Sequence, residues 1–414
     1  MKKRILSVIM AGLTAFSMAA CTNGGGEAGN TGDNGDSGNA SGSNGGVKIG
    51  AILVGDENEG YTYAHIEGIK KAAAATGIGE ENIVWKYSVP EDESCETAAK
   101  DLVDQGCSAI FSNSYGHQSF MQQVASEYHD VQFVSMTGDT AAASGLENFS
   151  NAFTNIFESR YVSGVVAGMK VAELVADNKL SANNYDANGN VLIGYVGAYP
   201  YAEVVSGYTA FFLGVQSVYQ NVSMEVKYTN SWFDITKEGE TANALMADGC
   251  VIIGQHADST GAPTAVEAAL SSGKVAYSVG YNVDMLNVAP NAALTSSTNN
   301  WSVYYQHAFE QVLAGQKIDT NWAEGYSQDA VGITKLGDSC AEGTADKVAE
   351  VEAAIKSGSL HVFDTSKFTV EGKSVDSFKT DDGFECISDG YFHESEHISA
   401  PAFSLRIDGI TELN

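Results

Sequence analysis

Residues 248–285, DGCVIIGQHADSTGAPTAVEAALSSGKVAYSVGYNVDM, leave the chain few ways to fold. Two short apolar runs, at 250–253 and 275–279, each end in a polar, glycine-bearing turn, and a helix-length Ala/Val/Leu segment separates them. That spacing predicts a βαβ unit and hence a parallel sheet. Ligands of open parallel sheets sit beyond the carboxyl ends of the strands, so Gln255, His256, Asp258 and Ser259 after the first strand are expected on one edge with Tyr281, Asn282 and Asp284 after the second. The edge reads as half of a ligand cleft.

The same alternation runs in both directions. Strands are predicted at 47–54, 83–87, 109–111 and 131–135, with helices from 61, at 94–105 and at 118–128, which describes a parallel sheet covered on both faces. A polar stretch, 137–151, leads into a long helix, and a second series follows with strands at 191–196 and 223–228 and helices at 203–218 and 236–247. Beyond the βαβ unit come strands at 293–296 and 330–333 and helices at 301–313 and 346–356, then a tail from 361 with no clear pattern. Two such series predict an α/β, bilobed fold with a ligand held between facing strand ends.

The N-terminus reads MKKR, an apolar run over 5–16, then SMAAC ending at Cys21. Basic, apolar and small-residue regions in that order make a bacterial secretion signal over 1–20, and a cysteine at the cleavage point resembles a lipobox, with Met18 where Leu is usual. The apolar run is shorter than the roughly 20 residues a bilayer span needs. From 21 to 46 the chain is mostly Gly, Asn, Ser, Asp and Thr, a flexible tether reaching about 25–30 Å. Formal net charge is −30, and loss of the three leader cations Lys2, Lys3 and Arg4 takes the mature chain to −33, a field that argues against nucleic acid as a partner. Cys95, Cys107, Cys250, Cys340 and Cys386 are odd in number and lack CxxC spacing, so neither a disulfide framework nor a zinc site is expected from them.

HESEH at 393–397 fits the HExxH pattern of zinc peptidases, whose chemistry needs His393 and His397 on one helical face with Glu394 as general base. Here turn residues flank the run and no third ligand follows, so an exposed loop or strand is expected and no metal or other cofactor. GYVG at 194–197 and Gly273-Lys274 both lack the glycines of a phosphate loop. His256 and Asp258 read as a hydrogen-bonding pair at a strand end rather than as an acid/base couple. Aromatics are more telling: Tyr61, Tyr63, Tyr115, Tyr199, Tyr201, Trp232, Tyr281 and Trp301 all fall just after predicted strands, at helix entries or in turns. Flat apolar walls with a few polar groups between them suit a planar ring such as a nucleobase.

At these residues the chain resembles the basic membrane lipoprotein (BMP) family of substrate-binding proteins for ABC transporters, whose best-understood members bind purine nucleosides. The matching blocks are GDENEGYTYAHIEGI, FESRYVSGVVAG, IGYVGAYPYAEVVSGYTAFFLG, FDITKEGETANALMADGCVII, QHADSTGAPTAVEAA, YSVGYNVDM and APNAALTSS, spread over 47–356. The resemblance implies the type I periplasmic-binding-protein architecture, with 47–153 and 282–322 as lobe I, 154–281 and 323–360 as lobe II and 361–414 as an extension. It implies that Tyr61 stacks on the base, with His65 one helical turn on. Acids after the last βαβ strand and a lysine after the LTS block hold ribose in nucleoside-binding members. Here Asn282 stands at the first acid position, Asp284 keeps the second, and SSTNNW supplies no lysine.

The expected protein is a monomeric, lipid-anchored solute receptor outside a bacterial membrane, closing on a purine-like ligand and delivering it to an ABC permease. The competing readings are a zinc hydrolase built on HESEH and a ligand-sensing lobe of a signalling receptor. Anchoring is tested directly: Cys21→Ser is expected to move the protein from the detergent phase to the aqueous phase in cloud-point partitioning, and unchanged partitioning counts against a lipid on Cys21.

Overall fold

The computed structural model describes residues 46–414, so the signal, Cys21 and nearly all of the linker lie outside the described residues. In the first half the elements are β1 (Ile49–Ile52), α1 (Gly60–Thr76), β2 (Ile83–Lys86), α2 (Glu93–Asp104), β3 (Ala109–Ser112), α3 (Gln118–Glu127), β4 (Gln132–Met136), α4 (Ala141–Ser144) and β5 (Phe149–Thr154). Then come α5 (Ile156–Ala176), β6 (Val191–Gly197), α6 (Ala202–Val218), β7 (Val222–Tyr228), α7 (Ile235–Asp248), β8 (Ile252–Gln255), α8 (Gly261–Ser271), β9 (Tyr277–Tyr281) and β10 (Ala293–Asn299). The chain ends with α9 (Trp301–Leu313), β11 (Asn321–Glu324), β12 (Val331–Ile333), α10 (Thr344–Lys356), β13 (Ile387–Ser388), β14 (Tyr391–Phe392) and β15 (Ile410–Glu412).

These strands make two main sheets. The first, in order β11-β5-β4-β3-β1-β2, is parallel throughout, and the second runs β12-β10-β9-β8-β6-β7-β15 with only β12 antiparallel. β1, β3, β6 and β8 are buried along their whole length, as parallel strands under helices on both faces must be, and this is why they read as unbroken apolar runs. α5 and α6 cross so closely that a Cβ on Gly164 would stand 2.1 Å from the Phe211 carbonyl oxygen, and one on Gly214 the same distance from that of Tyr161. Only glycine permits that approach.

Three crossings connect the sheets, after β5, after β10 and between β11 and β12. Backbone bonds tie them together: Asn155 N donates to Glu324 O and Asn300 N to Ala330 O, both at 2.8 Å. The lobes are closed on each other, since a Cβ on Gly60 of α1 would lie 3.3 Å from Val283 and 3.5 Å from the Asp258 carbonyl oxygen.

Three placements differ from the sequence expectation. Residues 282–299, assigned to lobe I, belong to the second sheet, because β10 pairs with β9, and the chain returns to lobe I only at Asn300. β5 occupies part of the stretch read as a polar connection. Its Ser150 and Asn151 are buried, and their side chains bond the Ile318 and Ser135 carbonyls, so polar composition conceals a strand. β11, NWAE, lengthens lobe I at its edge by pairing with β5, although it lacks an apolar run.

The tail is part of the second lobe. β15 adds to the sheet edge beside β7, Phe363 stacks on Phe403 at 4.3 Å and on Phe157 of α5 at 5.3 Å, and Glu412 Oε1 accepts from the hydroxyls of Tyr208 and Tyr228 at 2.7 and 2.5 Å. HESEH lies here without helical structure. His393 Nδ1 meets Glu396 at 2.8 Å, His397 Nε2 meets Asp382 at 2.5 Å, and Glu394 is buried with Oε2 accepting the Ala402 and Phe403 amides at 2.9 and 2.7 Å. The motif's glutamate is thus a cap for the tail backbone.

Burial pushes the Glu394 carboxyl up to about 7. An acid whose folded pKa exceeds its unfolded one binds more protons when folded, so this residue's contribution to stability falls as pH rises from about 4.5 to 7. Glu394→Gln, which keeps an acceptor for both amides, is expected to match or exceed wild-type melting temperature at pH 8, with the gain shrinking at pH 5. Glu394→Ala is expected to cost about 1–3 kcal/mol in denaturant melts.

Candidate functional site

The carboxyl ends of both sheets face a cavity of about 330 Å³ between the lobes. Lobe I supplies the loop after β1 and the start of α1. Glu59 caps that helix, its carboxylate accepting the Tyr61 and Thr62 amides at 2.8 and 2.9 Å, and this fixes Tyr61 at the cavity wall. The Tyr61 hydroxyl donates to the Asn113 carbonyl at 2.6 Å, while Asn113 Oδ1 accepts the Val54 amide at 2.8 Å, so the loops after β1 and β3 brace one another. Ser88, Ser114, Tyr115 and Thr137 complete this side from the ends of β2, β3 and β4.

Lobe II supplies Glu203 at the start of α6, Trp232 and Phe233 between β7 and α7, His256 and Asp258 after β8, and Tyr281 at the end of β9. The lining therefore holds five aromatic rings, Tyr61, Tyr115, Trp232, Phe233 and Tyr281, and four acids, Asp56, Glu59, Glu203 and Asp258, with no lysine or arginine among the described residues.

Of the residues expected here, Tyr61, Tyr115, Trp232, His256, Asp258 and Tyr281 line the cavity. Tyr199 stands behind, stacked on Tyr201 at 5.2 Å and edge-on to Trp232. His65 and Trp301 do not reach the lining: both are buried, their rings stack at 4.4 Å, and His65 Nδ1 meets the Tyr305 hydroxyl at 2.7 Å. Trp301 opens α9, which packs on α1, so its ring faces the lobe I core and supports Tyr61 from behind at 6.4 Å. Tyr63 is 44% exposed to solvent. Asn282 is buried outside the lining with its Nδ2 donating to Asp258 Oδ1 at 2.7 Å, and exposed Asp284 accepts the Leu286 amide at 2.8 Å.

Sequence reasoning missed Glu59, Glu203, Phe233 and, behind the wall, Arg160. A lone arginine inside the apolar α5 was the available signal for the last. Arg160 is 1% exposed, with Nη1 on the Gln255 carbonyl at 2.5 Å and its guanidinium 3.7 Å from the centre of the Tyr281 ring. The Tyr195 hydroxyl lies beside the guanidinium, whose charge acts on it, and no salt bridge to Arg160 is formed among the described residues. Its charge acts on the cavity through the wall.

That charge helps set the site's protonation. His256 Nε2 lies 3.2 Å from Glu203, but burial first and Arg160 second push the imidazole down to about 4, so it is neutral at neutral pH. The proton is assigned to Nε2 because a carboxylate faces it. Asp258 moves the other way: burial and the neighbouring Glu59, Glu238 and Glu203 hold its carboxyl well above the usual range, with Arg160 opposing them. Glu238, buried and raised to about 7, accepts the Ser259 amide at 3.1–3.2 Å and shapes the turn that presents Asp258.

Two parallel-sheet lobes closed over an aromatic, acid-edged cavity define a bilobed solute-binding protein. Residues 47–366 match the model for the Bmp family, ABC transporter substrate-binding protein PnrA-like. The chain belongs to this family of solute-binding proteins. A purine-binding protein of Brucella abortus is 32% identical over 318 residues, 77% of this chain and 83% of its own length. A putative ABC transporter glucose-binding protein of Haloferax volcanii is also 32% identical, over 64% of this chain and 61% of that protein. In fold the chain resembles an ABC transporter solute-binding protein of Aeropyrum pernix, with TM-score 0.62 and 16% identity over 77% of this chain and 93% of that one.

Replacing Arg160 by Gln removes the buried charge that opposes His256 protonation. The His256 midpoint, followed by NMR of the imidazole carbons, is expected to rise from about 4 while staying below an ordinary histidine's, since burial remains. An unmoved midpoint would show that Arg160 has no electrostatic hold on the cleft.

Proposed function

We propose that this substrate-binding protein is a lipid-anchored receptor outside the cell membrane that takes a neutral, purine-like ring and passes it to an ABC permease. The observation that carries the reading is the lining itself: five aromatic rings around four acids, with no lysine or arginine among the described residues. Aromatic faces sandwich a flat heterocycle, and Asp258 and Glu203 accept from its ring or exocyclic N–H groups. Phosphorylated ligands would meet four acids without a counter-charge. At about 330 Å³ the cavity lies at the small end of ligand sites and suits one ring system.

A base is favoured over its nucleoside. The amide at the first ribose-acid position, Asn282, is turned to Asp258 and Asn299, and Asp284 caps a turn in solvent, so neither is free to hold sugar hydroxyls in the cleft. The purine-binding relative supports the ring reading, and the glucose-binding one makes sugars the control.

A thermal-shift screen of adenine, guanine, hypoxanthine, their nucleosides, AMP, glucose and amino acids separates these classes. A ligand specific for the folded state stabilises it by about 4 kcal/mol at a thousandfold excess over Kd. Bases are expected to shift the melting temperature at least as far as nucleosides, with AMP, glucose and amino acids inert. Asp258→Ala is expected to shrink the shift markedly, by about 1–3 of those 4 kcal/mol, through loss of an acceptor. Stabilisation by glucose alone, or normal base binding by Asp258→Ala, would overturn the assignment.

A further inference from the structure

The hydrogen bonds that hold Asp258 do not stop at the cleft wall. Asn282 Nδ2 donates to Asp258 Oδ1 at 2.7 Å, Asn299 Nδ2 donates to Asn282 Oδ1 at 3.1 Å, and Thr154 Oγ1 donates to Asn299 Oδ1 at 2.5 Å. All four residues are buried. Thr154 is the last residue of β5 and Asn299 the last of β10, so their side chains meet where the first two crossings leave their sheets. Backbone bonds from Asn155 and Asn300 then tie the third crossing to both. A continuous polar path therefore runs from the cavity carboxylate into all three hinge strands.

Its polarity is uniform. Each donor points toward Asp258, so every link polarises the next and the last amide proton strengthens the acceptor's charged form. Asn299 cannot flip its amide without setting oxygen against oxygen at Asn282, nor can Asn282 at an ionised Asp258. Asn282 also holds a left-handed backbone, φ +64°, which asparagine adopts more readily than other side chains. In that conformation its amide bridges Asp258 and Asn299.

We propose that Asn282, Asn299 and Thr154 are positioning residues that couple ligand capture at Asp258 to closure of the hinge. The proposal rests on the reading of Asp258 as the ligand's acceptor. Opening the lobes turns the crossings at 154–156 and 299–301 against each other and strains or breaks the Thr154–Asn299 link, whereas a ligand N–H on the other oxygen of Asp258 fixes the carboxylate that terminates the path. Closure then raises affinity, and by linkage ligand favours closure to the same extent.

The test combines adenine binding with inter-lobe distances in the full mature chain. Spin labels at Lys71→Cys and Lys274→Cys, exposed on opposite lobes, are read by double electron–electron resonance in a Cys340→Ser background, the other cysteines among the described residues being buried. Adenine is expected to narrow the wild-type distribution to its short component. Thr154→Val is expected to raise the adenine Kd about tenfold, within the usual range of coupling between sites, mostly through faster dissociation, and to leave an adenine-bound open population. Thr154→Ser, which keeps the hydroxyl, is expected to behave as wild type. In an Asn282→Ala background Thr154→Val is expected to add less than about twofold, because the path is already cut.

Additive losses, or a lower ligand-free melting temperature with unchanged Kd and closure, would overturn the coupling and leave Thr154 a stability residue only. If wild type binds neither adenine nor any other base, the reading of Asp258 has failed and the path is judged without ligand. Each single variant is then expected to broaden the ligand-free distribution, with no further broadening in the double variant, and unchanged distributions reject the path as well.

Discussion

The structure turns on keeping a carboxylate where water cannot hold it. Asp258 is buried at the end of β8 among three further acids, Glu59, Glu203 and Glu238, and its ionisation is opposed on every side but two. One exception is Asn282, which donates to it directly, and the other is the Arg160 charge behind the Tyr281 ring. Removing ions from water costs several kcal/mol each even after relaxation, so an acid cluster of this kind exists only where the fold over-determines its geometry. Parallel sheets do this well. Their strand ends present short loops at fixed spacing, and helix starts beside them supply amides, as Tyr61 and Thr62 do for Glu59.

The sequence exposes the framework because buried parallel strands need uninterrupted apolar runs, and β1, β3, β6 and β8 have them. It hides the strands whose burial is achieved by side-chain hydrogen bonds instead. β5 reads as a loop since Ser150 and Asn151 are turn residues by composition, yet each has a buried partner. The candidate site divides in the same way. Strand-end positions are legible from the βαβ pattern, which is why His256, Asp258 and Tyr281 were anticipated. Whether an aromatic faces the cleft or the core depends on helix packing that no local pattern carries: Tyr61 and Trp301 both open helices, but α9 lies against α1 and turns Trp301 inward. Arg160 illustrates the opposite case, the one arginine of a largely apolar helix, whose role only the Tyr281 contact reveals.

The positions at which the chain departs from the nucleoside-binding pattern implied by its family resemblance are connected in the structure. With Asn in place of an acid at position 282, the side chain gains a donor, and that donor satisfies Asp258. With no lysine in SSTNNW, Asn299 occupies the end of β10 and supplies the amide that orients Asn282. At both positions the side chain is an internal scaffold for Asp258. A carboxylate at 282 would add a fourth acid beside Asp258 and abolish the bond that now supports it, which agrees with the proposed ligand that lacks ribose.

Charge then acts at two ranges. The chain's formal net charge of −30 repels anions over about a Debye length, roughly 8–10 Å at physiological ionic strength, and so slows the approach of phosphorylated compounds without touching neutral ones. Inside the cavity, where screening is weak, four acids without a lysine or arginine repeat the discrimination at contact distance. Within the cluster the Asn282 amide and the recessed Arg160 charge favour the ionised form of Asp258, against the burial and the neighbouring acids that raise its pKa. On the proposed reading, a field that repels nucleotides and a lining of aromatic faces beside acids favour the same class of molecule, a neutral planar base.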